Sequence, residues 1–285
     1  MNLADISSVK KILESTGFSF KKSLGQNFLI DPTVCPAMAD AACDSETGIL
    51  EIGPGIGVLT AELSRRAKKV VAVELDERLR PILAKTLGEF SNTQVVFGDA
   101  MKMDLSALIA DKFSDCKRVS VCANLPYYIT SPIIMMLLES RLPLSEITVM
   151  VQKEAAQRLC AEVGCRDSGA VTVAVGYYAE SEILFGVGRE SFMPPPNVDS
   201  AVIKLKIRNT PAVEVKDEKF FFSLVKACFA QRRKTLLNSV SNTLGISKDS
   251  LRNALSALGL EETVRGEKLT MNQLADLSEE LKKYA

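Results

Sequence analysis

The alternation of short apolar segments with longer helical segments between residues 48 and 152 is the feature that most constrains the fold. The expected strands are residues 48–52, 70–74, 94–97, 119–123 and 147–152, and the expected helices are 31–42, 59–67, 76–87 and 131–140. The first of these helices has a strong start signal, with Asp31 as N-cap and Pro32 at the first helical position. Strands and helices that alternate in this way form parallel sheets with helices on both faces. We therefore predict an α/β protein with a doubly wound, Rossmann-like sheet.

The pattern differs at the two ends of the chain. Residues 3–16 have helical spacing and stop at Gly17, and residues 21–30 have loop character. Residues 168–207 are expected to form β-rich pieces around a proline loop at 193–196. Beyond Pro211 only helical patterns remain, at about 216–231, 235–244, 248–258 and 270–283. A domain boundary near Thr210 follows from this change.

Histidine is absent from all 285 residues. Its absence excludes Ser-His-Asp and Cys-His triads, H-E-x-x-H metal sites and imidazole general bases. The seven cysteines form no C-x-x-C pair, and an odd count without a signal peptide is typical of reduced thiols. We therefore expect no metal site, no disulfide framework and no membrane segment, and we expect a monomeric cytoplasmic protein.

Basic and acidic residues balance at 35 each, so the whole chain lacks the basic character of many nucleic-acid-binding proteins. The charge is nevertheless uneven. Nine basic and three acidic residues fall between Ser200 and Ser239, and Lys10, Lys11, Lys21 and Lys22 make the N-terminal region basic. The sequence therefore contains two positive regions that could meet phosphates.

A glycine-rich loop, with glycines at 53, 55 and 57, joins the first predicted strand to the next helix. The dinucleotide fingerprint G-x-G-x-x-G would need a glycine at position 58, where this chain has Val58. Glu74 ends the second strand, 21 residues after Gly53, and is placed to accept the hydroxyls of a ribose. Asp99 and Asn124 occupy the corresponding ends of the next two strands. Polar residues at three successive strand ends predict a site for a nucleoside-type cofactor.

The segment Asn124-Leu125-Pro126-Tyr127 follows the apolar strand 119–123. Ligands of open parallel sheets bind at the carboxyl ends of the strands, so this segment should face the ligand. The Asn124 amide oxygen and the Leu125 carbonyl, aimed by the rigid Pro126, could hold an exocyclic amine, and Tyr127 offers a flat face for a base. Tyr128, Tyr177 and Tyr178 are expected to be core or turn residues.

Five motifs occur in order along nearly the whole chain, at residues 25–29, 51–60, 124–127, 192–200 and 229–236. In these motifs the chain resembles S-adenosylmethionine-dependent methyltransferases, and within them the ribosomal RNA adenine N6,N6-dimethyltransferases of the small subunit. The resemblance implies a methyltransferase domain over residues 1–210, in which residues 1–45 supply N-terminal helices and a loop that covers the cofactor. It implies a small all-helical, RNA-binding domain over residues 211–285.

The resemblance also implies site residues. Those expected to contact S-adenosylmethionine are Gln26, Asn27, Leu29, Gly53, Gly55, Glu74, Leu75, Asp99, Ala100 and Asn124. Those expected to hold the target adenine are Asn124, Leu125, Pro126 and Tyr127, with Phe192 either on the other face of the base or a core aromatic. Those expected to contact RNA are Arg232, Arg233 and Lys234, and Lys21 and Lys22 are expected either to touch RNA or to flank the cofactor. The implied substrate is two adjacent adenosines near the 3′ end of small-subunit (16S) ribosomal RNA, within a pre-30S particle.

Three other functions remain open from the sequence. A methyltransferase for large-subunit RNA is one, although such enzymes usually lack the motif at residues 231–236. A chiefly non-catalytic assembly factor for the small subunit is the second, and the intact glycine loop and Asn124 weigh against it. A nicotinamide-dependent oxidoreductase is the third, and Val58 together with the lack of a histidine proton donor makes it the weakest.

Overall fold

The computed structural model of the protein describes residues 28–231 and 233–284. The chain divides into two compact units, one of residues 1–156 and 182–207 and the other of residues 157–181 and 208–285. The sequence places a single boundary near Thr210, whereas the unit that holds the C-terminal helices also takes in residues 157–181. No helix among the described residues is long and apolar enough to cross a membrane.

The strands, in chain order, are β1 (Phe28–Leu29), β2 (Thr47–Ile52), β3 (Lys69–Glu74), β4 (Thr93–Phe97), β5 (Arg118–Asn124), β6 (Glu146–Gln152), β7 (Ala179–Val187), β8 (Phe192–Met193) and β9 (Ser200–Ile207). Strands β1 and β8 form a small antiparallel pair. The other seven form one sheet in the order β4-β3-β2-β5-β6-β9-β7. From β4 to β6 the neighbours are parallel, and β9 runs antiparallel to β6.

The strand order explains where a ligand can bind. The chain moves outward from β2 through β3 to β4, then returns to place β5 on the other side of β2. Loops that leave β2 and β5 in opposite directions open a crevice at the carboxyl ends of these two strands. All six residues of β2 are buried, as fits a central strand covered on both faces.

The helices are α1 (Val34–Ala42), α2 (Val58–Ser64), α3 (Arg80–Leu87), α4 (Leu105–Lys112), α5 (Thr130–Glu139), α6 (Lys153–Leu159), α7 (Ala170–Tyr178), α8 (Glu218–Phe229), α9 (Leu236–Leu244), α10 (Lys248–Ala257) and α11 (Met271–Leu281). In the first unit, α1 packs against α2, β5 and β6, with Met38 in the core cluster, and Ile82 and Leu83 of α3 share a second cluster with Leu79 and Ile56. The predicted α/β fold with additional C-terminal helices is confirmed.

Several local predictions were wrong. Residues 170–178 form helix α7 and not a strand, because this β-branched segment packs against α8 and tertiary burial overrides its local preference. The sequence patterns also missed helices α4 and α6. Helix α1 begins after Thr33 and not after Asp31, whose carboxylate instead accepts hydrogen bonds from the Thr33 amide at 2.9 Å and hydroxyl at 2.7 Å.

In the second unit, four helices begin where the sequence supplies a capping side chain. Asp217, Thr235, Ser247 and Thr270 each accept a hydrogen bond from the backbone N–H three residues on, at the starts of α8 to α11. The last of these forms a capping box with Gln273. Side-chain capping satisfies backbone donors that the helix itself cannot, so these helix starts are encoded locally.

An aromatic cluster joins α7 to α8 within the second unit. The Tyr178 ring stacks on Phe222 with centroids 5.5 Å apart, and Tyr177 lies 5.4 Å from Phe221. Both tyrosine side chains are buried, and the Tyr178 hydroxyl donates a hydrogen bond to the Glu218 carboxylate. These two tyrosines are core residues.

Candidate active site

A cavity of about 320 Å³ lies at the carboxyl ends of the central strands, in the first unit. This volume is at the lower end of the range for small-molecule sites. Its walls come from the carboxyl ends of β2, β3 and β5 and the segments that follow β2 to β5, together with Cys35 of α1 and one residue each from β1 and β8. The predicted site residues that line it are Leu29, Gly53, Gly55, Glu74, Leu75, Asp99, Ala100, Asn124, Leu125, Pro126, Tyr127 and Phe192.

The glycine loop brings bare backbone to the cavity. Gly53, Gly55 and Gly57 have φ angles of 72°, 58° and 90°, a region in which residues with a side chain are strained. A Cβ added at Gly53 would meet nothing within 4 Å, so the space beside this backbone is open to a ligand. A Cβ at Gly57, the N-cap of α2, would lie 3.1 Å from the side chains of Thr86 and Leu87. The first glycine therefore permits ligand approach, and Gly57 permits helix packing.

Glu74 is fixed by the glycine loop and by its own strand end. Its Oε2 accepts a hydrogen bond from the Gly55 amide at 3.2 Å, and its Oε1 accepts one from the Asp76 amide at 2.8 Å. Burial raises the pKa of Glu74, and these two backbone donors oppose the shift. The carboxylate is thus held in one position at the cavity wall, with further lone pairs able to accept ligand hydroxyls.

Glu51 is a cavity residue that the sequence patterns did not single out. Its side chain is 1% exposed, and its Oε2 is buried with no hydrogen-bond partner among the described residues. Burial raises the pKa of Glu51 to about 8, and the nearby Glu74 carboxylate contributes to the rise. The carboxyl therefore carries a proton over most of the neutral range and can neutralise a cationic ligand by releasing it. The signal in the sequence was its place at the start of the 51–60 motif, as a charged residue within an apolar strand.

The Asn124-Leu125-Pro126-Tyr127 segment leaves the sheet at the cavity edge. Asn124 is the last residue of β5, and the Leu125 side chain is 2% exposed and anchors the loop in the core. The Tyr127 hydroxyl lies 2.7 Å from Ser200 Oγ, and burial raises the pKa of this phenol. A hydrogen bond to β9 therefore holds the Tyr127 ring at the cavity.

Phe192 and Leu29 close the cavity from the β1–β8 pair. They are cross-strand partners, each side chain is 3% exposed, and both belong to the core cluster around Met38. The sequence left Phe192 between a base-stacking role and a core role. Its ring both lines the cavity and packs in the core, and its contact with a base remains a prediction.

Asp99 and its neighbours form the remaining wall. Asp99 Oδ1 accepts a hydrogen bond from the Met101 amide at 3.0 Å, and its Oδ2 lies 3.3 Å from the Lys102 ammonium. Ala100 is 9% exposed and Leu75 is 56% exposed, and both line the cavity. An apolar, partly open slot beside a carboxylate suits a flat, polar-edged ring such as adenine.

Other predicted residues lie elsewhere. Gln26, Asn27, Lys21, Lys22 and Arg232 are outside the described residues, and so is the predicted helix at residues 3–16. The basic triplet 232–234 falls between the predicted helices at 216–231 and 235–244. Arg233 and Lys234 are exposed in the turn between α8 and α9, where the Lys234 amide bonds the Gln231 carbonyl at 2.8 Å.

The chemistry available in the cavity is that of carboxylates, amides and backbone groups. Across residues 28–231 and 233–284, no group of three or more cysteine, aspartate or glutamate side chains is arranged to hold a metal ion. The seven cysteines are free thiols, and burial raises the pKa of Cys43 beside α1 to about 11. The bare backbone at Gly53, the fixed Glu74 and the unpartnered Glu51 oxygen fit a nucleoside that also carries a positive charge.

Comparison with known proteins gives matches over nearly the whole chain. The model of the ribosomal RNA adenine dimethylase family matches residues 17–283. A ribosomal RNA small subunit methyltransferase A from Geobacillus thermodenitrificans is 52% identical over 284 residues, which are 98% of this chain and 97% of the relative. The protein of the same name from Bacillus pumilus is 49% identical over 278 residues, 96% of this chain and 95% of the relative.

Solved structures agree with this assignment. A dimethyladenosine transferase from Plasmodium falciparum matches with a TM-score of 0.74 at 28% identity, over 90% of this chain and 98% of that one. The 23S rRNA methyltransferase ErmE matches with a TM-score of 0.67, also at 28% identity, over 90% of this chain and 100% of that one. The predicted resemblance is confirmed, and the chain belongs to the ribosomal RNA adenine dimethylase family.

Proposed function

We propose that the protein transfers methyl groups from S-adenosylmethionine to N6 of two adjacent adenosines near the 3′ end of small-subunit (16S) ribosomal RNA. The observation that carries the proposal is the position of Asn124 to Tyr127 at the edge of a cavity built from four strand ends. The product is N6,N6-dimethyladenosine, formed during small-subunit biogenesis. A pre-30S particle as substrate, a monomeric state and a cytoplasmic location belong to the same proposal.

Different walls of the cavity would bind different parts of the cofactor. The Glu74 carboxylate would accept hydrogen bonds from the ribose hydroxyls, Leu75 and Ala100 would enclose the adenine, and Asp99 would accept a hydrogen bond from its amine. When bound, S-adenosylmethionine supplies a methyl group on a positively charged sulfur, which is a good electrophile. Glu51, buried in β2 at the cavity wall, would favour this positive charge once its proton is released. Gln26, Asn27 and Leu29 complete the cofactor side of the site.

The catalytic segment orients the target amine. An adenine amine is a weak nucleophile because its lone pair is delocalised into the ring. The Asn124 amide oxygen and the Leu125 carbonyl accept its two hydrogens, which localises the lone pair on nitrogen and aims it at the methyl group. No strong base is needed, because the nitrogen becomes positively charged when it takes the methyl group from sulfur, and one of its own N–H protons is then acidic enough to leave to solvent. This chemistry suits a chain without histidine.

The target base must leave its stack to reach Asn124. The Tyr127 ring, held by Ser200, provides one face of a slot, and the Phe192 ring at the cavity wall is placed to provide the other. Phosphates of the RNA bind to Arg233 and Lys234, which are exposed in the turn before α9. The same role is assigned to Arg232, Lys21 and Lys22.

The test is methyl transfer to isolated ribosomal subunits. The protein is incubated with methyl-labelled S-adenosylmethionine and with small or large subunits from cells that lack the modification, and the RNA is digested to nucleosides. Labelled dimethyladenosine in small-subunit RNA supports the proposal. Label only in large-subunit RNA would favour methylation of 23S rRNA, the activity that the name of ErmE states. Cofactor binding without label would favour an assembly factor.

Asn124→Ala separates catalysis from RNA binding. We expect a loss of transfer of at least about 100-fold, the order seen when one oriented polar group is removed from an active site, with RNA affinity nearly unchanged. Asn253→Ala, at an exposed position on α10, is the matched control and should retain full activity. A parallel fall in RNA affinity and methyl transfer in Asn124→Ala would contradict the separation of roles.

A further inference from the structure

Tyr128 is the most exposed large hydrophobic residue in the described part of the chain. Its relative exposure is 58%, and it nevertheless lines the mouth of the cavity. Two of the other exposed apolar residues, Leu75 and Met101, line the same cavity. A single exposed apolar residue needs no explanation, but exposed residues grouped at the rim of one cavity indicate a surface that binds something.

The backbone that carries Tyr128 is fixed on both sides. It is the middle residue of a 3₁₀ turn, Tyr127–Ile129, which the Ile129 amide closes on the Pro126 carbonyl at 3.1 Å. The buried Thr130 hydroxyl donates a second hydrogen bond to that carbonyl at 3.2 Å. On the other side Tyr127 is held by its hydrogen bond to Ser200. The Tyr128 ring is therefore presented at the cavity mouth from a rigid base.

No described residue forms a hydrogen bond, ion pair or ring contact with the Tyr128 side chain. An aromatic side chain whose backbone is fixed and whose ring has no partner is suited to stacking on nucleobases. A protein helix would require a broad apolar groove, whereas the exposed apolar area at this point is that of a few side chains. The chemistry favours a planar ring of the size of a base.

The group that would stack on Tyr128 can be inferred from the position of the target base in the cavity. Tyr128 directly follows Tyr127 in the chain and is exposed at the same cavity, so a nucleotide next to a base held by Asn124 and Tyr127 comes within reach of its ring. Tyr127 lies deeper, with its hydroxyl bound to Ser200, and is assigned to the target base itself. The neighbouring base is then the ring within reach of Tyr128.

We propose that Tyr128 is an RNA-positioning residue whose ring stacks on the base adjacent to the target adenosine. This inference rests on the proposed function, in which two adjacent adenosines are modified, and it names the group that holds one adenosine while the other is in the cavity. Stacking of one base on an aromatic ring corresponds to about a 5- to 150-fold change in affinity. The ring, and not the phenol hydroxyl, makes the contact.

The first experiment compares Tyr128→Ala, Tyr128→Phe and the wild type in methyl transfer to small subunits. Tyr284→Ala, at a tyrosine that is 44% exposed near the C-terminus, is the matched control. We expect Tyr128→Ala to raise KM for the subunit by about 5- to 150-fold while affinity for S-adenosylmethionine stays within about twofold. Tyr128→Phe should restore the wild-type KM. An unchanged KM in Tyr128→Ala, an equal defect in Tyr128→Phe, or a loss of cofactor affinity would each overturn the inference.

The second experiment does not depend on methyl transfer. An RNA hairpin with two adjacent loop adenosines carries the fluorescent base 2-aminopurine in place of one of them, and its fluorescence is measured on binding. Stacking on Tyr128 predicts quenching with the wild type and Tyr128→Phe, and weaker quenching with Tyr128→Ala at saturating protein. Equal quenching by all three proteins would refute the stacking, whereas Tyr128-dependent quenching without dimethyladenosine formation would contradict only the proposed function.

Discussion

The buried carboxyl of Glu51 should make the stability of the protein depend on pH in a way that Glu51→Gln removes. The pKa of Glu51 is raised from an ordinary value of 4.5 to about 8 by burial. Between these two pH values the folded state holds a proton on Glu51 that the unfolded state has released. Stabilisation from this group is therefore complete below pH 4.5 and is lost as the pH rises through 8.

The size of the effect follows from the two pKa values. Each pH unit between them lowers the free energy of unfolding by about 1.4 kcal/mol, which gives an upper limit of about 5 kcal/mol over the whole interval. Glutamine has nearly the same shape and no proton to lose. The difference in unfolding free energy between Glu51→Gln and the wild type should therefore grow in favour of the variant as the pH rises from 5 to 8, and should level off above 8.

The assay is urea unfolding of the two proteins followed by circular dichroism at pH 5, 6, 7, 8 and 9. Glu74, whose pKa is also raised, is present in both proteins, so its contribution largely cancels in the difference. Glu89→Gln, at an exposed position after α3, is the matched control and should track the wild type at every pH. A difference that is independent of pH, or that shrinks as the pH rises, would refute the reasoning.

Three further substitutions test the packing around the cavity. Phe192→Ala should lower the free energy of unfolding by about 3–5 kcal/mol in urea, because the ring is 3% exposed within the core cluster, and a stable but inactive variant would contradict the core role. Gly57→Ala should cost about 1–3 kcal/mol in the same assay, since a φ of 90° strains alanine, and unchanged stability would show that the loop adapts. Ser200→Ala should cost about 0.5–1.5 kcal/mol and reduce kcat more than it raises KM for the cofactor, because it frees Tyr127; equal effects on both constants would contradict this role.

The strand ends could be predicted from the sequence because each depends on a short local pattern. An apolar run followed by a polar residue gives the positions of Glu74 and Asn124, and the order of strands and helices places both at one edge of the sheet. Family motifs added Leu29 and Phe192, which no pattern of hydrophobicity would have brought to the same cavity. Their cross-strand pairing joins residues more than 160 positions apart and depends on tertiary structure alone.

Other features could not be predicted because they arise only on packing. The segment 170–178 has the composition of a strand, and only its burial against α8 makes it a helix. The raised pKa of Glu51 depends on complete burial without a hydrogen-bond partner for Oε2, which no spacing of residues reveals. The exposure of Tyr128 could not be predicted either, because its neighbour Tyr127 has the same side chain and yet is held inward by Ser200.

The interior position of β9 has a consequence for synthesis of the chain. This strand is formed by residues that follow all the other strands in sequence, yet it lies between β6 and β7. A nascent chain that ends before Ser200 therefore presents β6 as an open edge, with its backbone groups available to a second chain. The same nascent chain lacks the serine that holds Tyr127. The strand that covers the β6 edge thus also supplies the hydroxyl that holds Tyr127, so a chain that ends before Ser200 lacks both.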